Sequence, residues 1–306
     1  MEFNSLFDML QKFKTEKDCI DYLEFLRWPD GKVVCPHCNS NRKIHHIKTR
    51  NIYKCADCKK QFSVRIGTIF EESRIPLIKW FMAIWLISSH KKGISSCQLS
   101  KDIKVTQKTA WFMLHRIRTI ASKLNNGQEL FNTIEIDDTY IGGKEKNRHF
   151  NKKTEDTQGR SLKTKAVVFG MVERGGASKT FVVKNLQGKT VNVIVRENVS
   201  KKAILITDEY RGYQFQKIGY NQERVNHAEK KYVMDDFHTN TIESVWALLK
   251  RSVFGIYHHI SKKHLQKYLD EVTSRFNTRR EKENYRIDNF LAGSQGIRLT
   301  YKGLLE

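Results

Sequence analysis

The chain has 306 residues, 39% of them hydrophobic and 11% aromatic, which is enough for two or three folded domains and excludes a wholly disordered chain. Its 55 lysine and arginine residues outnumber the 33 acidic ones, and the formal net charge of +22 favours a polyanion such as nucleic acid as the partner. The N-terminus lacks the pattern of a secretion signal, and the longest apolar run, residues 80–87, is far shorter than the roughly 20 residues that cross a bilayer. We therefore expect a soluble cytoplasmic protein, nucleoid-associated if prokaryotic, with no membrane partner.

The first part of the chain changes from helical to strand-like and back to helical. Apolar residues at helical spacing predict two short helices within residues 1–30. Short polar strands follow, with candidates at 44–47 and 51–54. A helical period then returns over 76–124 and is broken once, at 93–96, which predicts a long helix followed by a compact helical unit.

Beyond Asn125 the sequence becomes rich in valine and isoleucine. Four segments predict strands, at residues 133–141, 166–172, 180–184 and 203–207. Gly175 and Gly176 lie between the second and third of these segments, as a hairpin turn would. Residues 144–165 are polar, charged and without period, so we expect a mobile insertion there. Helical patterns dominate 240–280, and the whole order predicts an α/β domain with a mixed sheet.

Four cysteines form two tight pairs, Cys35 with Cys38 and Cys55 with Cys58. Sixteen residues separate the pairs, a spacing with which four thiolates bind one tetrahedral zinc ion. The histidines at 37, 45 and 46 are alternative ligands, but four thiolates already complete the coordination shell. We therefore expect one structural zinc ion with no open coordination position.

Residues 96–103 and 105–118 have the lengths of two short helices joined by a tight turn, as in a helix-turn-helix. Thr106 is a natural N-cap of the second helix, whose apolar stripe consists of Ala110, Met113, Leu114 and Ile117. The side chains left partly outward are Gln107, Lys108, Trp111, His115, Arg116 and Arg118. Among them, Lys108 and Arg116 are candidates for contacts with DNA. The alternative is an ordinary amphipathic helix pair with a solvated basic face.

Three carboxylates occur where two strands and a helix are predicted. Asp137 lies in the first strand of the α/β part, Asp208 follows the apolar run 203–206, and Glu243 opens a helix 35 positions later. Such carboxylates bind Mg²⁺ or Mn²⁺, and two of these ions about 4 Å apart activate the attacking oxygen and stabilise the leaving oxygen of a phosphodiester reaction. Lys250, seven residues after Glu243, has nearly the same angle on the helix and is a candidate phosphate contact; the alternative is an ordinary exposed lysine.

Each acid also has a structural interpretation. Asp137 and Asp138 would pair with nearby lysines in this interpretation, and Asp208 would cap the segment that follows it. Glu243 would form a capping box with Asn240. Strand alternation puts Asp137 on one face of the sheet and Asp138 on the other. Alternation alone therefore does not choose between these two acids if both faces are covered.

These motifs resemble those of insertion-sequence transposases related to the Merlin group, which join a zinc ribbon to a DDE catalytic domain of RNase H-like fold. The resemblance covers nearly the whole chain, through CPHC, CADC, IEIDDTYIGGK, LITDEYRGY, HTNTIESVWALLKR, GIYHHISKKHLQKYLDE and FNTR. It implies that Asp137, Asp208 and Glu243 bind two catalytic Mg²⁺ or Mn²⁺ ions. Lys250 and Arg251 are then DNA-contact candidates. His238, Asn240 and Asp138 support the triad, Asp138 standing where such proteins usually have glutamate.

The resemblance implies a DNA transposase that cuts the ends of a mobile element and joins the freed 3′-hydroxyl to target DNA. Its partners are double-stranded DNA, as terminal inverted repeats and as target, and further copies of itself in a dimer or larger assembly on DNA. The expected segments are 1–70 for the helices and zinc ribbon, 71–125 for the helix-turn-helix-like region, 126–290 for the RNase H-like catalytic domain and 291–306 for a tail. The alternatives are a non-catalytic DNA-binding regulator derived from a transposase, and a metal-dependent nuclease that cuts without joining.

Overall fold

The computed structural model describes residues 3–127, 129–143, 149–154, 161–210, 212–225 and 238–305. Parts of the predicted insertion, 144–148 and 155–160, lie outside the described residues. The chain forms two compact units, one of residues 1–124 with 280–306 and one of residues 125–279. Across the described ranges, no helix is both long enough and apolar enough to cross a membrane.

The secondary structure of the described residues has the following order and bounds. The elements are α1 (Leu6–Lys12), α2 (Glu16–Arg27), β1 (Ile44–Ile47), β2 (Ile52–Cys55), β3 (Gln61–Phe62), α3 (Leu77–Ser89), α4 (Ser96–Asp102), α5 (Gln107–Asn125), β4 (Thr133–Ile141), β5 (Ala166–Glu173), β6 (Ser178–Val183), α6 (Gly188–Asn198), β7 (Ile204–Thr207), β8 (Asn221–Arg224), α7 (Asn240–Ser252), α8 (Leu265–Asn277), α9 (Glu283–Gly293) and α10 (Tyr301–Leu305). A π-helical turn, Val253–Tyr257, continues directly from α7.

Helices α1 and α2 of the first unit each begin with a capping box, in which a hydroxyl side chain and an aspartate exchange hydrogen bonds with the backbone. The strands β1, β2 and β3 form a small antiparallel sheet that carries the cysteines. Helix α5 contributes to the core of this unit, and all four residues of its predicted apolar stripe, Ala110, Met113, Leu114 and Ile117, are buried. Ile287, Phe290 and Leu291 of α9 join the same core, so residues 280–290 return to the first unit, whereas the sequence had grouped them with the catalytic segment.

The second unit contains a five-stranded sheet with the order β6-β5-β4-β7-β8. Strand β4 is central, antiparallel to β5 and parallel to β7, and β7 is parallel to β8. This order and these directions are those of an RNase H-like sheet, which confirms the expected mixed α/β fold. Helices α7 and α8 cover one face, where their apolar residues pack on Val168 and Val172. Helix α6 covers the other face through Val191 and Val195.

Candidate active site and zinc site

The four paired cysteines lie together in the first unit. Their sulfur atoms are all within 4.8 Å of one another, with Cys35 Sγ 3.6 Å from Cys58 Sγ and Cys38 Sγ 3.7 Å from Cys55 Sγ. Four Zn–S bonds of about 2.3 Å in a tetrahedron give sulfur separations of about 3.8 Å. The four thiols therefore fit one zinc ion, and His37, His45 and His46 are not members of the cluster.

The first two predicted acids are neighbours in the central sheet. Ile136 of β4 pairs with Thr207 of β7 in parallel register, so the next position along both strands brings Asp137 beside Asp208. Burial raises the pKa of Asp137 to about 6, and the negative charges of Asp138 and Asp208 act in the same direction. The carboxylate of Asp208 also accepts a hydrogen bond from the backbone N–H of Tyr210 at 3.0 Å. Asp208 therefore also caps the segment that follows it, as its structural interpretation predicts.

Trp246 of α7 holds the side chain of Asp137. Its indole N–H donates to Asp137 Oδ2 at 3.0 Å. The ring lies against Gly170, which is paired with Asp137 across the sheet. A Cβ atom on Gly170 would be 2.3 Å from Trp246 Cη2, so glycine is required for this close approach.

Glu135 is a functional candidate that the sequence interpretation missed. It lies on the same strand face as Asp137 and is fully buried. Its carboxylate accepts hydrogen bonds from the backbone N–H groups of Thr241 and Ile242 at 2.8 and 3.0 Å and from the Thr241 hydroxyl at 2.9 Å. The Arg174 guanidinium donates to the same carboxylate at 2.9 Å, and His238 Nδ1 lies 3.4 Å from it. Glu135 therefore attaches the beginning of α7 to β4.

Asp138 points to the opposite face of the sheet. Its carboxylate accepts a hydrogen bond from the buried Tyr213 hydroxyl at 2.8 Å. Burial, together with the charge of Asp138, raises the pKa of this phenol. Both faces of β4 are covered, and it is Asp137 rather than Asp138 that shares a face with α7.

Glu243 lies in the first turn of α7 and is exposed, as are Lys250 and Arg251 near its end. The Asn240–Glu243 capping box does not form, because the N-cap is Thr239 and makes no side-chain cap hydrogen bond. Instead the Thr239 hydroxyl donates to Glu243 Oε1 at 3.3 Å. In the described part of the chain, the four cysteines are the only group of three or more His, Cys, Asp or Glu residues placed to hold one metal ion, so the three acids do not form such a group.

The helix-turn-helix candidate is present as α4 and α5, but its predicted outward face needs correction. Lys108 is exposed, as predicted, in the first turn of α5. Arg116 is only 7% exposed, and its guanidinium donates to the backbone carbonyls of Ile69, Glu71 and Leu299. The prediction that Arg116 faces outward is therefore wrong, because these contacts occupy the side chain inside the unit. His115 and Arg118 are buried as well.

Comparison with known families finds a match for the cysteine-containing region and another for the domain that contains the central sheet. The ISXO2-like transposase domain matches residues 129–277, and the transposase zinc-ribbon domain matches residues 14–61. The chain belongs to a transposase family, and residues 129–277 form its ISXO2-like domain. This confirms the resemblance to insertion-sequence transposases and the predicted zinc ribbon.

Two relatives of this transposase carry related names. It is 28% identical over 272 residues to the "Uncharacterized protein in transposable element ISH50" of Halobacterium salinarum, across 85% of this chain and 90% of that protein. It is 32% identical over 99 residues to an "Uncharacterized transposase-like protein" of Haemophilus influenzae, across 32% of this chain and 79% of that protein. Crystal structures of a pre-cleavage Mos1 transpososome and of the Mos1 strand transfer complex match at 11% identity. They cover 72% and 70% of this chain and 80% and 78% of those chains, with TM-scores of 0.27 and 0.28, which are too low to carry an argument.

Proposed function

We propose that this transposase cuts DNA at the ends of a mobile insertion sequence and joins the freed 3′-hydroxyl to target DNA. The observation that carries the proposal is the position of Asp137 on β4 beside Asp208, the residue that follows the parallel strand β7, together with Glu243 in the first turn of α7. The hydrogen bond from Trp246 to Asp137 connects that helix directly to the paired acids. A regulator without catalysis gives no reason for this connection, whereas a nuclease shares it and differs only in that it joins no strands.

Asp137, Asp208 and Glu243 would hold two Mg²⁺ or Mn²⁺ ions, since carboxylate oxygens are the ligands these ions prefer. The raised pKa of Asp137 supports this assignment, because burial and neighbouring acids disfavour its anion and a divalent cation offsets both effects. Bound there, the ions would activate the attacking oxygen and stabilise the leaving oxygen of the phosphodiester.

The remaining residues bind and position. Trp246 fixes the orientation of the Asp137 carboxylate, and Glu135, with Arg174 and His238, fixes the start of the helix that carries Glu243. Two exposed cationic residues follow on the same helix, Lys250 and Arg251, and we assign them to DNA phosphates. Asp138 and Asn240 support the strand and the helix without touching the reacting atoms.

The first unit supplies DNA recognition in this proposal. One structural zinc ion bound by the four cysteines stabilises the ribbon, and the exposed first turn of α5, with Lys108, contacts the terminal inverted repeats. Because transposition brings two element ends together, two or more copies of the chain assemble on the DNA. Residues 1–124 thus recognise the ends, and the unit of residues 125–279 performs the chemistry.

A strand-transfer assay tests the proposal with labelled DNA that carries the element's own ends, in Mg²⁺ or Mn²⁺. Wild-type protein is expected to give joined products, and Asp208→Asn is expected to reduce them below detection. Glu197→Gln is the matched control, because Glu197 is an exposed acid of the same unit on α6, at the opposite face of the sheet. Cutting without joining would establish the nuclease instead, and tight metal-independent binding without cutting would establish the regulator.

A further inference from the structure

The second unit contains a cavity of about 420 Å³ beyond the candidate active site. Its walls come from the end of β4, at Ile141 to Gly143, and from the π-helical turn and loop that follow α7. This volume lies within the range of about 300 to 1,000 Å³ that is usual for small-ligand sites. No residue assigned above to the zinc ion, to the carboxylate triad or to its supporting contacts lines this cavity.

The chemistry of the walls fits a group that is flat and apolar on one side and anionic on the other. Phe254 is 60% exposed at the cavity and offers a free aromatic face. Lys262 supplies positive charge, His258 and His259 supply ring nitrogens that can form hydrogen bonds, and no carboxylate belongs to the described lining. Among the described residues, a Cβ atom on Gly143 would meet nothing within 4 Å.

The cavity wall is held in a defined conformation. His258 has φ +56° and ψ −48°, and the backbone N–H of His259 donates to the carbonyl of Tyr257 across it, a rare and strained γ-turn. The Tyr257 hydroxyl donates to Glu271 of α8, and Glu271 pairs with Arg275, both buried. This buried network fixes the turn that presents Phe254 and His258.

The cavity also lies at a defined distance from the paired acids. Strand β4 advances about 13 Å over the four residues from Asp137 to Ile141, at about 3.3 Å per residue. The chain from Glu243 to Val253 rises about 15 Å over ten residues, at 1.5 Å each. A DNA strand advances about 3.4 Å per nucleotide, so this separation corresponds to about four nucleotide steps.

We propose that this cavity binds one nucleotide unstacked from the DNA duplex, about four steps from the phosphodiester at Asp137 and Asp208. The base stacks on Phe254, and the phosphate lies at His258, His259 and Lys262. The inference rests on the proposed function, because it takes the substrate DNA to extend along β4 and α7. Unstacking costs a few kcal/mol, and less where the nucleotide is already mispaired.

DNA binding without divalent cations tests this nucleotide site. The probes are duplexes with the element's own end and one mispair at a single position, moved stepwise through the terminal nucleotides. Wild-type protein is expected to bind the duplex mispaired near the fourth step more tightly than the perfect duplex. Phe254→Ala is expected to weaken binding about 5- to 100-fold, as loss of one base–aromatic stack does, and to abolish the preference for that position.

Two control variants and one independent test accompany Phe254→Ala. Phe254→Trp keeps the aromatic face and is expected to retain the mispair preference. Phe131→Ala removes another exposed phenylalanine of the same unit, 50% exposed and near the opposite end of β4, and is expected to behave as wild type. Gly143→Leu adds a side chain to the cavity wall and is expected to weaken binding as Phe254→Ala does, by a separate route.

Equal effects of a mispair at every position, or wild-type binding by Phe254→Ala, would overturn the nucleotide site. Binding of free deoxynucleoside monophosphate that depends on Phe254, without any mispair preference, would also overturn it and assign the cavity to a free nucleotide. A mispair preference in a protein that joins no strands would uphold this site and overturn only the enzymatic proposal, so the two failures are distinguishable.

Discussion

The carboxylate of Glu135 shows how one residue connects two elements that are far apart in the sequence. It accepts hydrogen bonds from backbone N–H groups that are 106 and 107 positions away. These groups belong to the first turn of α7, where a helix leaves its N–H donors without intrahelical partners. Since the N-cap Thr239 provides no side-chain cap, Glu135 takes over that role from the neighbouring strand.

Replacement of Glu135 by alanine is expected to lower the free energy of unfolding by about 3–5 kcal/mol, because it leaves Arg174 and the backbone N–H groups of Thr241 and Ile242 without this acceptor. Glu135→Gln keeps one carbonyl acceptor and is expected to cost less. Urea denaturation measures both changes. Glu129→Ala, at an exposed acid that precedes β4, is expected to stay within about 0.5 kcal/mol of wild type. Equal stability of Glu135→Ala and Glu129→Ala would contradict the assigned role.

At this scale the sequence identified residues but not their partners. Asp137, Asp208 and Glu243 stand out because the first lies within a recognisable strand, the second follows one and the third lies in the first turn of a recognisable helix. Nothing local marks Glu135, whose partners come from α7, or distinguishes Arg116 from an exposed arginine. The Leu299 carbonyl that Arg116 binds lies 183 positions further along the chain. Helical periodicity describes one helix at a time and carries no information about such contacts.

At the scale of elements, helix α7 packs closely on the sheet because the large Trp246 side chain lies against Gly170, which has no side chain. Trp246 occupies the space that Gly170 leaves on β5, and this contact directs the indole N–H to Asp137 on β4. The packing of a helix on a sheet and the orientation of a candidate metal ligand are therefore a single interaction. A change in the packing is transmitted to the carboxylate.

Gly170→Ala is expected to destabilise the second unit by about 1–3 kcal/mol, since its methyl group overlaps the Trp246 ring. It is also expected to abolish strand transfer, because the displaced ring takes its N–H away from Asp137. A double-mutant cycle with Trp246→Leu measures the coupling by urea denaturation. The alanine is expected to cost less when the indole is gone, and strictly additive costs would contradict the overlap.

Element prediction succeeded where hydrophobic patterning was strong. The expected strand at 133–141 coincides with β4, and the glycine pair at 175–176 forms the β5–β6 hairpin turn. Strand β8, with the sequence NQER, was missed because it is polar and lies at the edge of the sheet. Helix α6 was missed because its Val-Asn-Val-Ile-Val segment has the composition of a strand. It is helical because Val191 and Val195, four residues apart, are buried together.

In the molecule as a whole, the two units have separate hydrophobic cores and different requirements for stability. Buried Cys35 and Cys55 belong to the core of the first unit, together with Tyr53 and Phe62 of the ribbon strands. The cores on the two faces of the central sheet contain none of these described residues. Loss of zinc is therefore expected to loosen the first unit locally and to leave the second unit folded.

Hydrogen exchange after chelation tests this expectation. Backbone amides within residues 33–62 are expected to lose protection, because the short strands β1 to β3 depend on the metal, whereas amides of β4 and β5 are expected to keep theirs. Cys38→Ser should reproduce the local loss without a chelator. Cys97→Ser, at an exposed cysteine outside the ribbon, is the matched control. Loss of protection throughout β4 would contradict the independence of the two cores.

The return of residues 280–306 to the first unit makes residues 125–279 an insertion within one folded body rather than the next domain along a string. The two ends of that insertion meet, since the Asn277 amide Nδ2 lies 3.4 Å from Asn125 Oδ1. A short bridging turn could thus replace the whole segment and leave the remaining polypeptide continuous.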